Sequence, residues 1–130
     1  MTLVLDTSVL IDLQRKRQET VHKLHELANI YHHPAHITFV SYFEFVFGLQ
    51  ENNPKNKSEA LTFIENFPVL QTTKTTAQLL ANLKYKYAQK GISLSLADLL
   101  LASLVIENNM TLVTRDQDFK VIEELTAVYI

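Results

Sequence analysis

Cysteine is absent from the 130-residue chain, and it has only two glycines, Gly48 and Gly91. Without cysteine there is no thiol catalysis, no cysteine-bound zinc and no disulfide framework, which fits a reducing cytoplasm. Two isolated glycines exclude a G-x-G-x-x-G dinucleotide loop, a Walker-type phosphate loop and a G-x-S-x-G nucleophile elbow, since each needs clustered glycines. An excess of charge of one sign is also missing: 12 basic residues against 14 acidic give a net charge of −2. Bulk charge therefore does not draw the chain to a polyanion, and any contact with nucleic acid must come from local patches or metal ions. Long apolar runs are lacking too. The strongest, Leu99 to Ile106, is far shorter than the ~20 residues that span a bilayer. Met1 to Leu13 carries no basic residue and is interrupted by Asp6 and Asp12, so no export signal is expected there. The expectation is a soluble cytoplasmic protein with no membrane association.

What is present is a globular composition, 47% apolar and 20% charged, of a length that suits one domain over residues 1–130. Strand and helix signals alternate along it. Leu3-Val4-Leu5 reads as a strand ending at Asp6, and Ser8 as the cap of a helix through Val9, Leu10 and Leu13. A helical spacing of Val21, Leu24, Leu27, Ala28 and Tyr31 runs up to Pro34. Ile37 to Val40 reads as a strand and Ser41 to Gln50 as a helix, with a loop at Asn52-Asn53-Pro54. Leu61, Ile64 and Phe67 share a helical face that Pro68 stops, and Val69-Leu70 forms a short strand. Thr75 to Gln89 is an amphipathic helix with Gly91 in the left-handed position past its end. Ser95 to Asn108 is an apolar helix, Thr111 to Thr114 a strand, Phe119 to Leu125 a helix and Ala127 to Ile130 a strand. Parallel strands need helical crossovers, and right-handed crossovers put helices on both faces. The fold class is therefore α/β: three layers around a parallel sheet of four to five strands.

In such sheets a site forms beyond the carboxyl ends of the strands. Four acids fall there. Asp6 ends the first strand, and Asp116 follows the Thr111–Thr114 strand. Glu44 and Asp98 are expected in the first turns of helices. Each has an ordinary explanation. Ser41-x-x-Glu44 and Ser95-x-x-Asp98 match the capping-box outline, Asp6 suits a turn and Asp116 an N-cap. The coincidence of all four favours a shared site, and capping does not exclude it, because a carboxylate has two oxygens. Two unit charges ~4 Å apart repel by about 4 kcal/mol at an effective dielectric of ~20. If the acids converge, a divalent cation removes that cost, and an all-oxygen site suits Mg²⁺ or Mn²⁺. The chemistry implied is attack of an activated water on a phosphate ester.

The chain resembles the PIN-domain family, and within it the compact VapC-like toxins of type II toxin–antitoxin pairs. The residues that carry the resemblance are Leu5-Asp6-Thr7-Ser8-Val9-Leu10-Ile11, Glu44 with Gly48 four residues on, Ser95-x-x-Asp98, and Leu112-Val113-Thr114-Arg115-Asp116-Gln117-Asp118-Phe119. In order and spacing they cover nearly the whole chain. The resemblance implies a PIN-like α/β/α nuclease fold and Mg²⁺- or Mn²⁺-dependent cleavage of RNA. It also implies a cognate antitoxin and a homodimer. It makes Asp6, Glu44, Asp98 and Asp116 the catalytic, metal-holding acids and Asp118 a supporting group. Thr114 and Thr7 or Ser8 become the small hydroxyls that orient the carboxylates or a metal-bound water.

Arg115, beside Asp116, is a candidate phosphate contact or a neutraliser of an acid. Arg15-Lys16-Arg17 and Lys84, Lys86 and Lys90 read first as solvated helix faces. The five histidines, His22, His25, His32, His33 and His36, do not form a metal spacing, because Pro34 breaks their register. Gly48 costs ~1 kcal/mol in a helix interior relative to alanine, and a close helix contact or a function accounts for it. Aromatic residues between 39 and 47 fit a core or dimer face better than base stacking. Three functions remain in view: the nuclease, a catalytically silent PIN-like RNA- or partner-binding module, and a signalling receiver. Asp6-Thr7-Ser8 lacks the paired acids of a receiver, and Ser8 stands where a D-x-D phosphatase needs its second acid.

Overall fold

The computed structural model describes residues 2–130. Among these residues, five strands alternate with helices. They are β1 (Leu3–Leu5), β2 (Ile37–Thr38), β3 (Val69–Leu70), β4 (Thr111–Thr114) and β5 (Ala127–Tyr129). The helices are α1 (Thr7–Gln14), α2 (Gln18–Ala28), α3 (Phe39–Asn52), α4 (Lys57–Ile64), α5 (Lys74–Gln89) and α6 (Leu96–Glu107). All strand pairings are parallel. One ladder runs β1-β4-β5 and a second pairs β2 with β3. A parallel bridge between Val4 and His36 joins them, with Leu5 N–H donating to His36 C=O at 2.9 Å and His36 N–H to Leu3 C=O at 2.8 Å. The strand order is thus β3-β2-β1-β4-β5, the parallel sheet expected from the alternating pattern.

Period-two alternation sorts the strand residues into two cores. Leu3, Leu5, Ile37 and Val113 pack with Val9 and Leu10 of α1, Phe45 of α3 and Ile64 of α4. Val4, Leu70 and Leu112 pack on the opposite face with Leu83 and Tyr87 of α5 and Leu101, Leu104 and Val105 of α6. The sheet is therefore the middle of three layers. None of the described helices is long and apolar enough to cross a membrane.

Several boundaries differ from the sequence pattern, each for a local reason. Asp6, not Ser8, caps α1: its Oδ1 accepts the Thr7 N–H at 2.8 Å. Thr38 caps α3 by accepting the Ser41 N–H at 3.1 Å, so β2 stops at Thr38 and the helix starts at Phe39. Helix α2 ends at Ala28, well before Pro34. Helix α5 starts one residue earlier than expected, at Lys74, behind a reciprocal box in which Thr73 and Thr76 cap each other's N–H groups. Gly91 takes the left-handed conformation, φ 73°, as expected past that helix. The helix expected over Phe119–Leu125 is instead a 3₁₀ turn, Gln117–Val121. There the Ile122 N–H returns to Phe119 C=O, and the Glu123 N–H donates to the buried Tyr87 hydroxyl at 2.8 Å. A tertiary acceptor on α5 thus takes the bond that would have propagated an α-helix.

Candidate active site

Every acid singled out in the sequence lies at or near the carboxyl edge of the sheet. Asp6 leaves β1 and is 9% exposed. Its Oδ1 accepts the Thr7 N–H, and its Oδ2 accepts the Thr114 hydroxyl from the end of β4 at 2.7 Å. The Thr114 oxygen also accepts the Asp116 N–H at 3.0 Å, and Asp116 Oδ1 accepts the Asp118 N–H at 2.9 Å. One hydroxyl therefore links the acid after β1 to the acid after β4. Thr7 donates its hydroxyl to Glu44 Oε1 at 2.7 Å, tying the start of α1 to α3. Of the two hydroxyls considered there, Thr7 rather than Ser8 reaches an acid. Asp98 sits in the first turn of α6, its N–H bonded to Ser95 Oγ at 3.1 Å.

Asp116 is the cap it was expected to be, and Asp6, expected in a turn, caps α1; at α6 the cap is Ser95, and Glu44 lies beyond the capping turn of α3. Because α3 begins at Phe39, Glu44 is exposed and one turn deeper than the first, and its hydrogen bond goes to Thr7. Capping and clustering coexist at Asp6 and Asp116. Burial pushes the Asp6 carboxyl above the ordinary value; its bonds from Thr114 and Thr7 work against this, and the charges of Glu44 and Asp116 add to it. Burial also raises Asp98, opposed by its Ser95 hydrogen bond and reinforced by Asp116, Asp6 and Asp118. The acids are thus close enough to feel one another's charge. Among the described residues none of the five forms an ion pair within 4 Å.

An acid cluster without a cation is electrostatically unfavourable, and all its donors are hard oxygens. That donor set fits Mg²⁺ or Mn²⁺. Among the described residues, no three His, Cys, Asp or Glu side chains are drawn together as a ready-made metal cage. Mg²⁺ does not need one, because it keeps several waters and takes one or two carboxylates directly.

Other candidates resolve differently. Arg115 does not pair with Asp116; its Nη1 lies 3.0 Å from Asp12 Oδ2. Asp12, not singled out in the sequence as a site residue, is 3% exposed. His22 pairs with Glu26, and His36 Nδ1 lies 3.1 Å from Pro34 C=O. No helix presses on Gly48: a Cβ there would meet nothing within 4 Å. Gly48 lines a cleft of about 170 Å³ between α1 and α3, together with Glu44, Ile11 and Arg15. On the neighbouring side of α3, Phe39, Phe43 and Phe47 form an exposed stripe, with the Phe43 and Phe47 rings stacked at 5.8 Å.

The PIN domain family model matches residues 3–125. Among curated proteins none matches the sequence. Solved structures with the same fold include VapBC2 from Rickettsia felis bound to a DNA fragment from their promoter. It has a TM-score of 0.84 and 22% identity, covering 100% of this chain and 99% of that one. The VapBC-5 toxin–antitoxin structure from Mycobacterium tuberculosis has a TM-score of 0.76 and 21% identity, with 100% of each chain covered. FitAcB from Neisseria gonorrhoeae has a TM-score of 0.78 and 18% identity, covering 97% of this chain and 96% of that one.

Proposed function

Because the chain belongs to the PIN domain family, we propose that it is a Mg²⁺- or Mn²⁺-dependent endoribonuclease and the toxin of a type II toxin–antitoxin pair. One observation carries the reading. Asp6 is buried at the sheet edge, is raised by its burial and by the charges of Glu44 and Asp116, and among the described residues has no cationic side chain paired with it. A divalent cation held by Asp6, Glu44, Asp98 and Asp116 would neutralise the cluster, activate a water and stabilise charge on the phosphoryl group.

The chain's own residues preorganise that chemistry. Thr114 and the Thr7 N–H fix both oxygens of Asp6 while leaving each with acceptor capacity. Thr7 orients Glu44 through a bond at 2.7 Å. Thr114 and the Asp118 N–H hold Asp116, and Asp118 adds negative charge near Asp98. RNA as substrate follows from the resemblance to VapC-like toxins.

The same likeness supports a cognate antitoxin. The α1–α3 cleft, with Glu44 on its wall, suits an apolar partner helix that would also cover the acids. The exposed Phe39, Phe43 and Phe47 stripe supports a homodimer. The whole chain then acts as one nuclease domain in the cytoplasm. The test is cleavage of RNA by the parent and by Asp6→Asn, with and without Mg²⁺ or Mn²⁺. Metal-dependent cleavage by the parent alone is expected. RNA binding without cleavage under every metal condition would instead make this a silent binding module.

A further inference from the structure

Asp12 is an acid that the proposed chemistry does not use, yet it is more deeply buried than Asp6. Its Oδ2 accepts the Thr20 hydroxyl at 2.8 Å and faces Arg115 Nη1 at 3.0 Å, and its Oδ1 lies 3.5 Å from Arg17 Nε. The Arg17 N–H also donates to the Asp12 C=O at 2.9 Å. Three segments meet there: α1, the start of α2, and the turn after β4. That turn is the one that carries Asp116.

We infer that Asp12 is a positioning residue for the acidic site, acting through Arg115 to fix the direction of Asp116. The inference rests on the nuclease reading above. The chain bends at Arg115 directly after β4. Thr114 reaches Asp6 and accepts the Asp116 N–H across that bend. Arg115, between them, reaches Asp12 near the far end of α1. The turn is therefore pinned at two points, and both anchors, Asp6 and Asp12, belong to α1 or its cap. Rotation of Asp116 away from Asp6 would require one pin to break. A guanidinium suits this role because its donors are fixed in a plane and its charge is permanent. It is thereby engaged by protein, which distinguishes the assignment from a phosphate contact.

The test compares Arg115→Ala, Arg115→Lys and Asp12→Asn with the parent and with Arg17→Ala. Mn²⁺ affinity is measured calorimetrically without RNA, and KM for a short RNA at saturating Mn²⁺. Amide exchange of Asp116 and Asp118 is followed in EDTA. Groups that orient metal-holding side chains typically change metal affinity by 10–100-fold. Arg115→Ala and Asp12→Asn are expected to weaken Mn²⁺ by about that factor and to speed exchange of both amides, with KM little changed. Arg115→Lys recovers part of the loss, and Arg17→Ala leaves Mn²⁺ affinity near that of the parent. Should Asp12→Asn fail to fold, Arg115→Ala still decides, since that side chain is half exposed. Parental Mn²⁺ affinity in Arg115→Ala overturns the inference, as does a raised KM with unchanged Mn²⁺ affinity, the signature of a phosphate contact. If the parent itself binds no Mn²⁺, the nuclease reading fails as well.

Discussion

Helix α1 carries one buried acid at its N-cap and another near its far end, and the two have opposite surroundings. Asp12 is met by Arg115, Arg17 and the Thr20 hydroxyl. Asp6 is met by hydroxyl and amide donors only, and beyond them by Glu44 and Asp116. Both solve the cost of burying a charge, but only Asp12 does so completely within the protein. An acid neutralised by its own fold serves structure. An acid hydrogen-bonded into place yet left facing like charges is an incomplete electrostatic arrangement that a cation completes. On the proposed reading, the same fold separates a supporting carboxylate from a metal-holding one by what stands opposite it.

The strongest way to break this comparison is the same substitution at both positions. Asp6→Asn is expected to lower RNA cleavage by at least ~10³-fold, equivalent to about 4 kcal/mol of lost transition-state stabilisation, without unfolding the protein. Gel-based cleavage rates and circular dichroism check this. Asp12→Asn is expected to weaken Mn²⁺ binding but to leave cleavage at saturating Mn²⁺ close to the parent's, and to cost about 1.5–3 kcal/mol in urea unfolding, the range for lost hydrogen bonds to charged groups. Equal losses of cleavage and stability at both positions would erase the distinction.

Titration sharpens it. Asp6 and Asp98 are raised in the folded state, so the folded protein holds their protons to higher pH than the unfolded chain. Their contribution to stability is therefore full below the ordinary aspartate value and lost as pH rises through the raised ones. In EDTA, Asp6→Asn should lose less stability than the parent over that rise, as read by denaturant unfolding at a series of pH values. Mn²⁺ affinity should change in the opposite sense, weakening as pH falls and protons compete with the metal.

The smallest effect lies at the cleft. Gly48→Ala replaces a helix-interior glycine where a Cβ meets open space. It is expected to stabilise α3 by up to ~1 kcal/mol and leave cleavage intact. It should weaken partner binding measurably, because the added methyl enters the α1–α3 cleft.

Much of this was legible from residue order. Strands β1, β3 and β4 fall where apolar runs end at polar residues, and the topology rule is what led to the expectation of four acids at one edge of the sheet. The errors came where two local signals compete or where a distant group decides. Thr38 and Ser41 both carry a hydroxyl able to cap, and Thr38 is the one that does, so Phe39 and Val40 join the helix. The turn after Asp116 depends on the Tyr87 hydroxyl, which no local pattern contains. Asp12 was visible as an acid between Ile11 and Leu13, but its partner Arg115 is remote in sequence, so only the fold shows what compensates it. For Gly48 the sequence left a close helix contact and a function open, and the fold places it beside a cleft with no helix pressing on it.

The most direct test of the central claim is thermal unfolding of the parent and Asp98→Asn in EDTA and across a Mn²⁺ series. Asp98 sits at a helix start, where a negative charge is normally favourable, so a simple cap and a repelling site predict opposite signs. If the acids form a cation site, Asp98→Asn melts higher than the parent in EDTA and gains less from Mn²⁺, whose binding to the folded state is worth about 2.7 kcal/mol at 100 Kd. If Asp98→Asn melts no higher in EDTA and responds to Mn²⁺ as the parent does, Asp98 is only a helix cap and the four-acid site is contradicted.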